Sequence, residues 1–339
     1  MRQPTYLSPT SMSKWAEDPQ GYYLRYLSDV APEKEPQSKP MAVGSAFDAF
    51  VKSHLYEALF GSPSSAGNDP RFAREVIFED QVDPENRDFA RKAGEHCFST
   101  YRLLGALDGL MIDLGKSKGP PKFEMDMRGT VSFGRGATVR NIPFRVKPDL
   151  HYVNEHGAFV ILDWKVNGYL SASGVSPTKG FVRARRSGKL PWSHDECTFA
   201  THKGLLINQK TLDRFDPGWA VQCMIGAIVC GAPVGGDFVA VVHQLACRQG
   251  RITVAEHAGH VSTEFQDATL ESAHNMWTAI NERIHRSGCS NLTGNCDCPR
   301  HVFRHLSLED SIATGRVLDQ RRAVAEATAG QFLNPALDD

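Results

Sequence analysis

The chain has 339 residues, 41% of them hydrophobic and 23% charged, with a formal net charge of -1. That length supports a well-buried core, as one elaborated α/β domain or as two smaller ones, and the ordinary composition points to a globular fold. The near-neutral balance excludes a polycation, so any binding of nucleic acid must rest on local positive charge.

Residues 1–9 carry no apolar signal-peptide core. Ser8 followed by Pro9 is a helix start, with a capping side chain and then proline at the first helical position. The aromatic run over residues 20–27 predicts a helix, and the polar, proline-containing residues 31–40 a loop. Residues 41–59 have helical periodicity, residues 61–70 are rich in glycine, serine and proline and break the chain, and residues 84–115 read as helical. Residues 122–133, 137–153 and 157–164 then alternate or run apolar in short segments, which predicts an antiparallel meander with a turn at Asn154–Gly157. Its last strand, residues 158–162, is continuously apolar, as for a strand buried on both faces. A helix over residues 217–230, a hairpin of 237–247 with 250–257, a long amphipathic helix over 262–287 and an alanine-rich tail after Arg316 complete the pattern. The longest apolar stretch, around Cys223–Val234, is too short and glycine-containing to span a bilayer, so a soluble intracellular protein without a membrane partner is expected. The fold class is α/β: a central mixed β-sheet flanked by helices, with a helical N-terminal part. The expected segments are a mainly helical part (1–120), a core (121–288), and a cysteine-containing loop and tail (289–339).

The predicted meander places two carboxylates together. Asp149 and Asp163 are nearly equidistant from the Asn154–Gly157 turn, so antiparallel pairing brings them within a few ångströms of each other. Two like charges there call for a cation between them, and a hard divalent ion with oxygen ligands fits. Lys165, two residues after Asp163, shares its strand face, while Trp164 points to the other side as core packing. An ammonium beside paired carboxylates can orient or deprotonate a water, or neutralise a developing phosphorane charge. Taken alone, Pro-Asp and Asp-x-Lys are common, and the same residues also fit an aspartate in a turn with a surface ion pair.

Pro148-Asp149 followed by Asp163-Trp164-Lys165 resembles the PD-(D/E)XK nuclease superfamily. Further elements, in the family's order, are similar to its RecB-like branch: the opening from Leu7 to Tyr26, Gly44 with Asp48 in the position of a histidine or aspartate, Glu124 at an often acidic position, and Gln222 on a downstream helix. Gly226 departs from the tyrosine of that last element. The nearest flavour is the phage-type exonucleases. The resemblance implies a restriction-endonuclease-like core and metal-dependent hydrolysis of DNA in recombination, replication or repair. It implies Mg2+ or Mn2+ held by Asp48, Asp149, Asp163 and the carbonyl of Trp164, with Lys165 positioning the water and Gln222 holding Lys165 or a phosphate. An endonuclease of the same fold and a catalytically silent DNA-binding module are the alternatives. A phage-encoded protein would work in the host cytoplasm on linear duplex ends, with a single-strand annealing or binding protein as a plausible partner by analogy and an oligomer compatible with the family.

Two further clusters stand out. Residues 179–203 carry Lys179, Arg183, Arg185, Arg186, Lys189, His202 and Lys203, together with Phe181 and Trp192, a composition suited to phosphates and stacked bases of a frayed end or else to a solvated charged loop. Cys289, Cys296, Cys298 and His301 read first as reduced thiols in a loop and second as a structural Zn2+ set. A [4Fe-4S] cluster is disfavoured by the spacing and by Asp18, which stands where the N-terminal cysteine would fall.

Overall fold

The computed structural model describes residues 3–27, 36–134, 139–170, 199–208, 211–214, 216–248 and 251–281. In chain order the main elements are α1 (Pro9–Glu17), α2 (Pro19–Tyr22) with a π-helical continuation (Tyr23–Leu27), α3 (Lys39–Phe60), α4 (Arg74–Gln81), α5 (Arg87–Leu103), α6 (Ala106–Gly115), β1 (Lys122–Phe123), β2 (Met127–Phe133), β3 (Arg140–Val146), β4 (Leu150–Val153), β5 (Phe159–Asn167), β6 (Phe199–His202), β7 (Leu205–Asn208), α7 (Pro217–Val229), β8 (Val239–Arg248), β9 (Arg251–Gly259) and α8 (Thr263–Asn281). The chain divides into two units. One comprises the described parts of Met1–Lys34, Arg128–Arg145 and Ala268–Asp339, and the other those of Glu35–Met127 and Val146–Asp267.

In the first unit, α1 starts where Ser8-Pro9 predicts. Ser8 is extended, its side chain accepts from the Ser11 N–H at 3.1 Å, and Ser11 Oγ accepts from the Ser8 N–H at 2.8 Å, a reciprocal cap closed by a serine. Leu7, fully buried, pairs with the chain at Phe144: its N–H donates to the Pro143 carbonyl and its carbonyl accepts from the Arg145 N–H, both at 2.8 Å.

The expected meander is corrected: residues 122–133 divide into β1 and β2, and residues 137–153 into β3 and β4, in different sheets. β2 and β3 form a two-stranded sheet of their own, separate from the sheet that contains β4 and β5. Lys147 and Pro148 lie between β3 and β4. A proline lacks the donor a ladder needs and restricts the residue before it, so pairing restarts after it.

The second unit holds a seven-stranded mixed sheet in the order β1-β4-β5-β8-β9-β7-β6. Pairing is antiparallel from β1 through β4 to β5, parallel between β5 and β8, antiparallel between β8 and β9, parallel between β9 and β7, and antiparallel between β7 and β6. The β4–β5 turn is the predicted one. Asn154 Oδ1 accepts from the His156 and Ala158 N–H groups at 3.1 and 2.9 Å, and Gly157 takes φ 85, a left-handed conformation that suits glycine.

Strand β5 is buried on both faces, which explains its unbroken apolar run. Val160, Leu162 and Trp164 join the core built with α3, α5 and α6. The intervening residues face α7: a Cβ at Gly226 would sit 3.7 Å from Ile161, and Asp163 and Lys165 both bond to Gln222. Helix α5 lies close against α3, and Gly94 permits it. A Cβ there would come within 2.7 Å of the Ala46 Cβ, closer than packed carbons allow. The helical stretch expected over 84–115 is divided into α5 and α6 by Gly105, at φ 79. Among the described residues no helix is long and apolar enough to cross a membrane. Cys97, Cys223 and Cys247 are buried free thiols, and Cys230 is half-buried.

Candidate active site

The site forms where α3 and α7 approach the start of β4 and the second half of β5. Leu150 pairs with Leu162, so the next position outward sets Asp149 against Asp163. Asp149 Oδ2 accepts the Trp164 N–H at 3.1 Å, and Asp149 Oδ1 lies 3.1 Å from Lys52 Nζ. Asp48 and Lys52 are one turn apart on α3, which puts them on the same helix face, and Asp48 Oδ2 lies 2.6 Å from the ammonium. Glu124 follows β1 directly at φ 50, a left-handed conformation unusual for a residue with a side chain. Its N–H donates to the Asp149 carbonyl at 3.4 Å, and its carboxylate contacts both Lys52 and Lys147.

Beside this group sits a second. Lys165 Nζ lies 2.6 Å from Asp163 Oδ2 and donates to Gln222 Oε1 at 3.1 Å, while Gln222 Nε2 donates to Asp163 Oδ1 at 2.7 Å. One amide thus braces a buried carboxylate and the lysine paired with it. Helix α7 delivers that amide, starting from Asp216, whose side chain accepts the Trp219 N–H at 3.1 Å. Trp164 points to the opposite face, as its place between Asp163 and Lys165 requires. Its Nε1 donates to the Tyr101 hydroxyl at 3.3 Å, which meets His243 Nδ1 at 2.5 Å, and His243 Nε2 is 3.4 Å from Glu256. That buried chain anchors the residue whose backbone N–H holds Asp149.

Burial and charge divide the four carboxylates into two kinds. Burial pushes Asp48 up to about 7 in spite of Lys52, with Asp149 and Glu124 adding to the rise. Burial likewise pushes Asp163 up to about 7 against the pull of Lys165. Burial would also raise Asp149, but Lys52 and Lys165 outweigh it and hold that carboxyl below the usual range. Glu124 is held low in the same way by Lys52 and Lys147. Desolvation would lower both site lysines, yet the surrounding carboxylates win, and Lys52 and Lys165 are raised.

Asp48, Glu124 and Asp149 each offer an oxygen, and these three atoms lie within 4.8 Å of one another. The donor set is oxygen alone, which fits a hard divalent cation. Asp48 Oδ1 is buried and has no hydrogen-bond partner, so it is a donor that a cation would satisfy. This group could bind a divalent metal.

Seven residues singled out from the sequence therefore meet here: Asp48, Glu124, Asp149, Asp163, Trp164, Lys165 and Gln222. Lys203 is exposed in the β6–β7 turn at φ 47, beside Gly105. Lys179, Arg183, Arg185, Arg186 and Lys189 lie outside the described residues, as do Cys289, Cys296, Cys298 and His301. Sequence reasoning missed Lys52 and Lys147. Lys52 left a signal, since it stands four residues after Asp48 and directly after the apolar run Ala49-Phe50-Val51.

No protein-family model matches the sequence, and none of the curated proteins matches it. Among solved structures the chain is similar to a protein from Eubacterium rectale described as "Putative exonuclease", at 13% identity over 89% of this chain and 93% of that one, with a TM-score of 0.42. It is also similar to the protein SSO0001, at 12% identity over 79% of this chain and 84% of that one, with a TM-score of 0.23. Likenesses this distant carry no functional conclusion, which must come from the carboxylates and lysines themselves.

Proposed function

We propose that the protein is a metal-dependent nuclease of the PD-(D/E)XK superfamily, RecB-like branch, that hydrolyses phosphodiester bonds of DNA from linear ends. The observation that supports this best is the meeting of Asp149, Asp163 and Lys165 with Asp48 and Glu124 from separate elements, where oxygens of Asp48, Glu124 and Asp149 lie within 4.8 Å of one another and Asp48 Oδ1 has no hydrogen-bond partner. Mg2+ or Mn2+ is the ion of choice. Asp48, Glu124 and Asp149 would hold it, with Asp163 and the Trp164 carbonyl as further donors. Such an ion, when bound, polarises a phosphoryl oxygen and acidifies a water.

The chain's own residues carry the rest. Asp163 and Asp149 raise Lys165 in the metal-free protein, which supports a role as a cationic donor to the attacking water or to a phosphoryl oxygen. Gln222 fixes Lys165 and Asp163 relative to each other. The basic, aromatic-containing segment over residues 179–203 supplies contacts to phosphates and bases by its composition. The setting is phage-type recombination, replication or repair, in which a single-strand annealing or binding protein would take the product strand.

Linear and circular duplex DNA, incubated with Mg2+ or with chelator, test the proposal. Metal-dependent digestion of linear DNA alone is expected. Cutting of circles would favour an endonuclease of the same fold, and no cutting where DNA is bound would overturn both and leave a silent binding module.

A further inference from the structure

Resting on that reading of the carboxylates, we infer that Lys52 is a resident cation. Its ammonium gathers Asp48, Glu124 and Asp149 when no divalent ion is bound, and an incoming ion has to displace it. Lys52 is fully buried, in a helix that packs mainly apolar residues into the core. Its Nζ lies 2.6 Å from Asp48 and 3.1 Å from Asp149, and it touches Glu124. These are the same three carboxylates whose oxygens converge to within 4.8 Å of one another. A buried ammonium needs carboxylates around it, and the ones Lys52 takes are those whose oxygens converge as a possible cation site.

The positions coincide. A divalent ion sits roughly 2.0–2.6 Å from oxygen ligands, and an ammonium pairs with carboxylates at roughly 2.7–2.9 Å. A cluster this tight centres one cation well. A second placed beside it would meet like charge at close range in a poorly solvated place. The charges agree. With Asp48 and Asp163 deprotonated, as ligation requires, Asp48, Glu124, Asp149 and Asp163 bring four negative charges, and Lys52, Lys147 and Lys165 bring three positive ones. A divalent ion added with Lys52 in place overshoots neutrality, whereas one that replaces its ammonium restores it. The Trp164 ring centroid, 5.9 Å from Nζ, already gives the ammonium a contact outside the carboxylates, since an indole face accepts a cation. Lys52 is thus a positioning residue. It keeps the carboxylates assembled without metal and sets how tightly metal binds.

A purely structural lysine and a resident cation differ in sign. Loss of a structural lysine weakens metal binding along with the fold, whereas loss of a competing cation tightens it. The test is Mn2+ titration calorimetry on the full chain as wild type, Lys52→Met and Lys52→Arg, with thermal unfolding followed in parallel. Lys52→Met should bind Mn2+ at least about tenfold more tightly than wild type, should melt lower without metal, and should regain the loss when Mn2+ is added. Lys52→Arg, still cationic, should gain no affinity. Wild-type or weaker Mn2+ affinity in Lys52→Met would overturn the inference. Should that variant not fold, lysine side-chain NMR of the wild type decides. The Lys52 signal, assigned from its loss in Lys52→Arg, must shift on addition of Mg2+, and an unmoved signal overturns the inference. The nuclease reading fails separately. If wild type cuts no DNA but Lys52→Met still binds Mn2+ more tightly, the role of Lys52 stands and the activity does not. If wild type cuts DNA and Lys52→Met gains no affinity, only the role of Lys52 falls.

Discussion

Acidification from pH 8 to pH 6 should weaken metal binding by about a hundredfold. Asp48 and Asp163 both sit at about 7 in the metal-free protein, chiefly because they are buried. In the proposed role of metal ligand, each must lose its proton first. A carboxyl at about 7 is roughly one-tenth protonated at pH 8 and roughly nine-tenths at pH 6, so each contributes about tenfold and the two together about a hundredfold, or about 2.7 kcal/mol. Asp149 and Glu124 are held low by their lysines, stay ionised throughout, and add nothing to the slope. The fold itself should respond with the opposite sign. A folded-state pKa raised above the unfolded value means that the folded protein holds protons the unfolded chain has released. These two groups therefore stabilise the metal-free fold at acid pH, and that contribution is lost as pH rises from about 4 toward about 7. Calorimetric Mn2+ titrations at pH 6, 7 and 8, repeated in buffers of different ionisation enthalpy, give both the affinity and the protons released. Nearly two protons should leave at pH 6 and almost none at pH 8. Asp163→Asn should reduce the pH effect to about tenfold. A wild-type affinity that changes less than about threefold over this range would refute the assignment of both carboxyls as ligands that titrate near neutrality.

Three other outcomes follow from the same geometry. Lys165→Ala should cut DNA at least about a hundredfold more slowly if Lys165 is the proposed cationic donor, while fluorescence anisotropy shows DNA affinity within about threefold of wild type; loss of binding would move Lys165 from chemistry to substrate capture. Gln222→Leu leaves Asp163 Oδ1 and Lys165 without their shared partner, and should cost about 1–3 kcal/mol in urea unfolding as well as slowing cutting; unchanged stability would mean that the amide is not braced as described. Tyr101→Phe removes the hydroxyl between Trp164 Nε1 and His243 Nδ1 and should destabilise by about 1–3 kcal/mol with Mn2+ affinity intact, so a large loss of affinity would show that this buried chain reaches the metal position.

What was legible in the sequence follows the range of the forces involved. Ser8-Pro9 and the Asn154–Gly157 turn act over a few residues, and both appear where the sequence places them. The turn then fixes the distance from Asp149 to Asp163, so the central pair could be derived by counting outward from it. The unbroken apolar run of β5 announced burial on both faces but could not name the neighbour. Parallel pairing with β8 joins segments nearly eighty residues apart through a connection that no local pattern records. The split between β3 and β4 falls at Pro148, which belongs to the Pro-Asp pattern and at the same time breaks the pairing.

Lys52 was less legible for a related reason: carboxylates at metal spacing mark what attracts a cation, and a lysine among them carries no such mark. Its position carried the information nonetheless. Four residues from Asp48 on a helix, it shares that aspartate's face, and the residues around it in Ala49-Phe50-Val51-Lys52 place that face in the core. A charged head on a buried helix face needs an opposing charge nearby. Asp48 supplies one carboxylate, so the depth of Lys52 implies that others converge on it from outside the helix. Here they arrive from the residue after β1 and the residue before β4, as Glu124 and Asp149. The same inference that explains why this lysine tolerates burial also locates the position a divalent ion would contest.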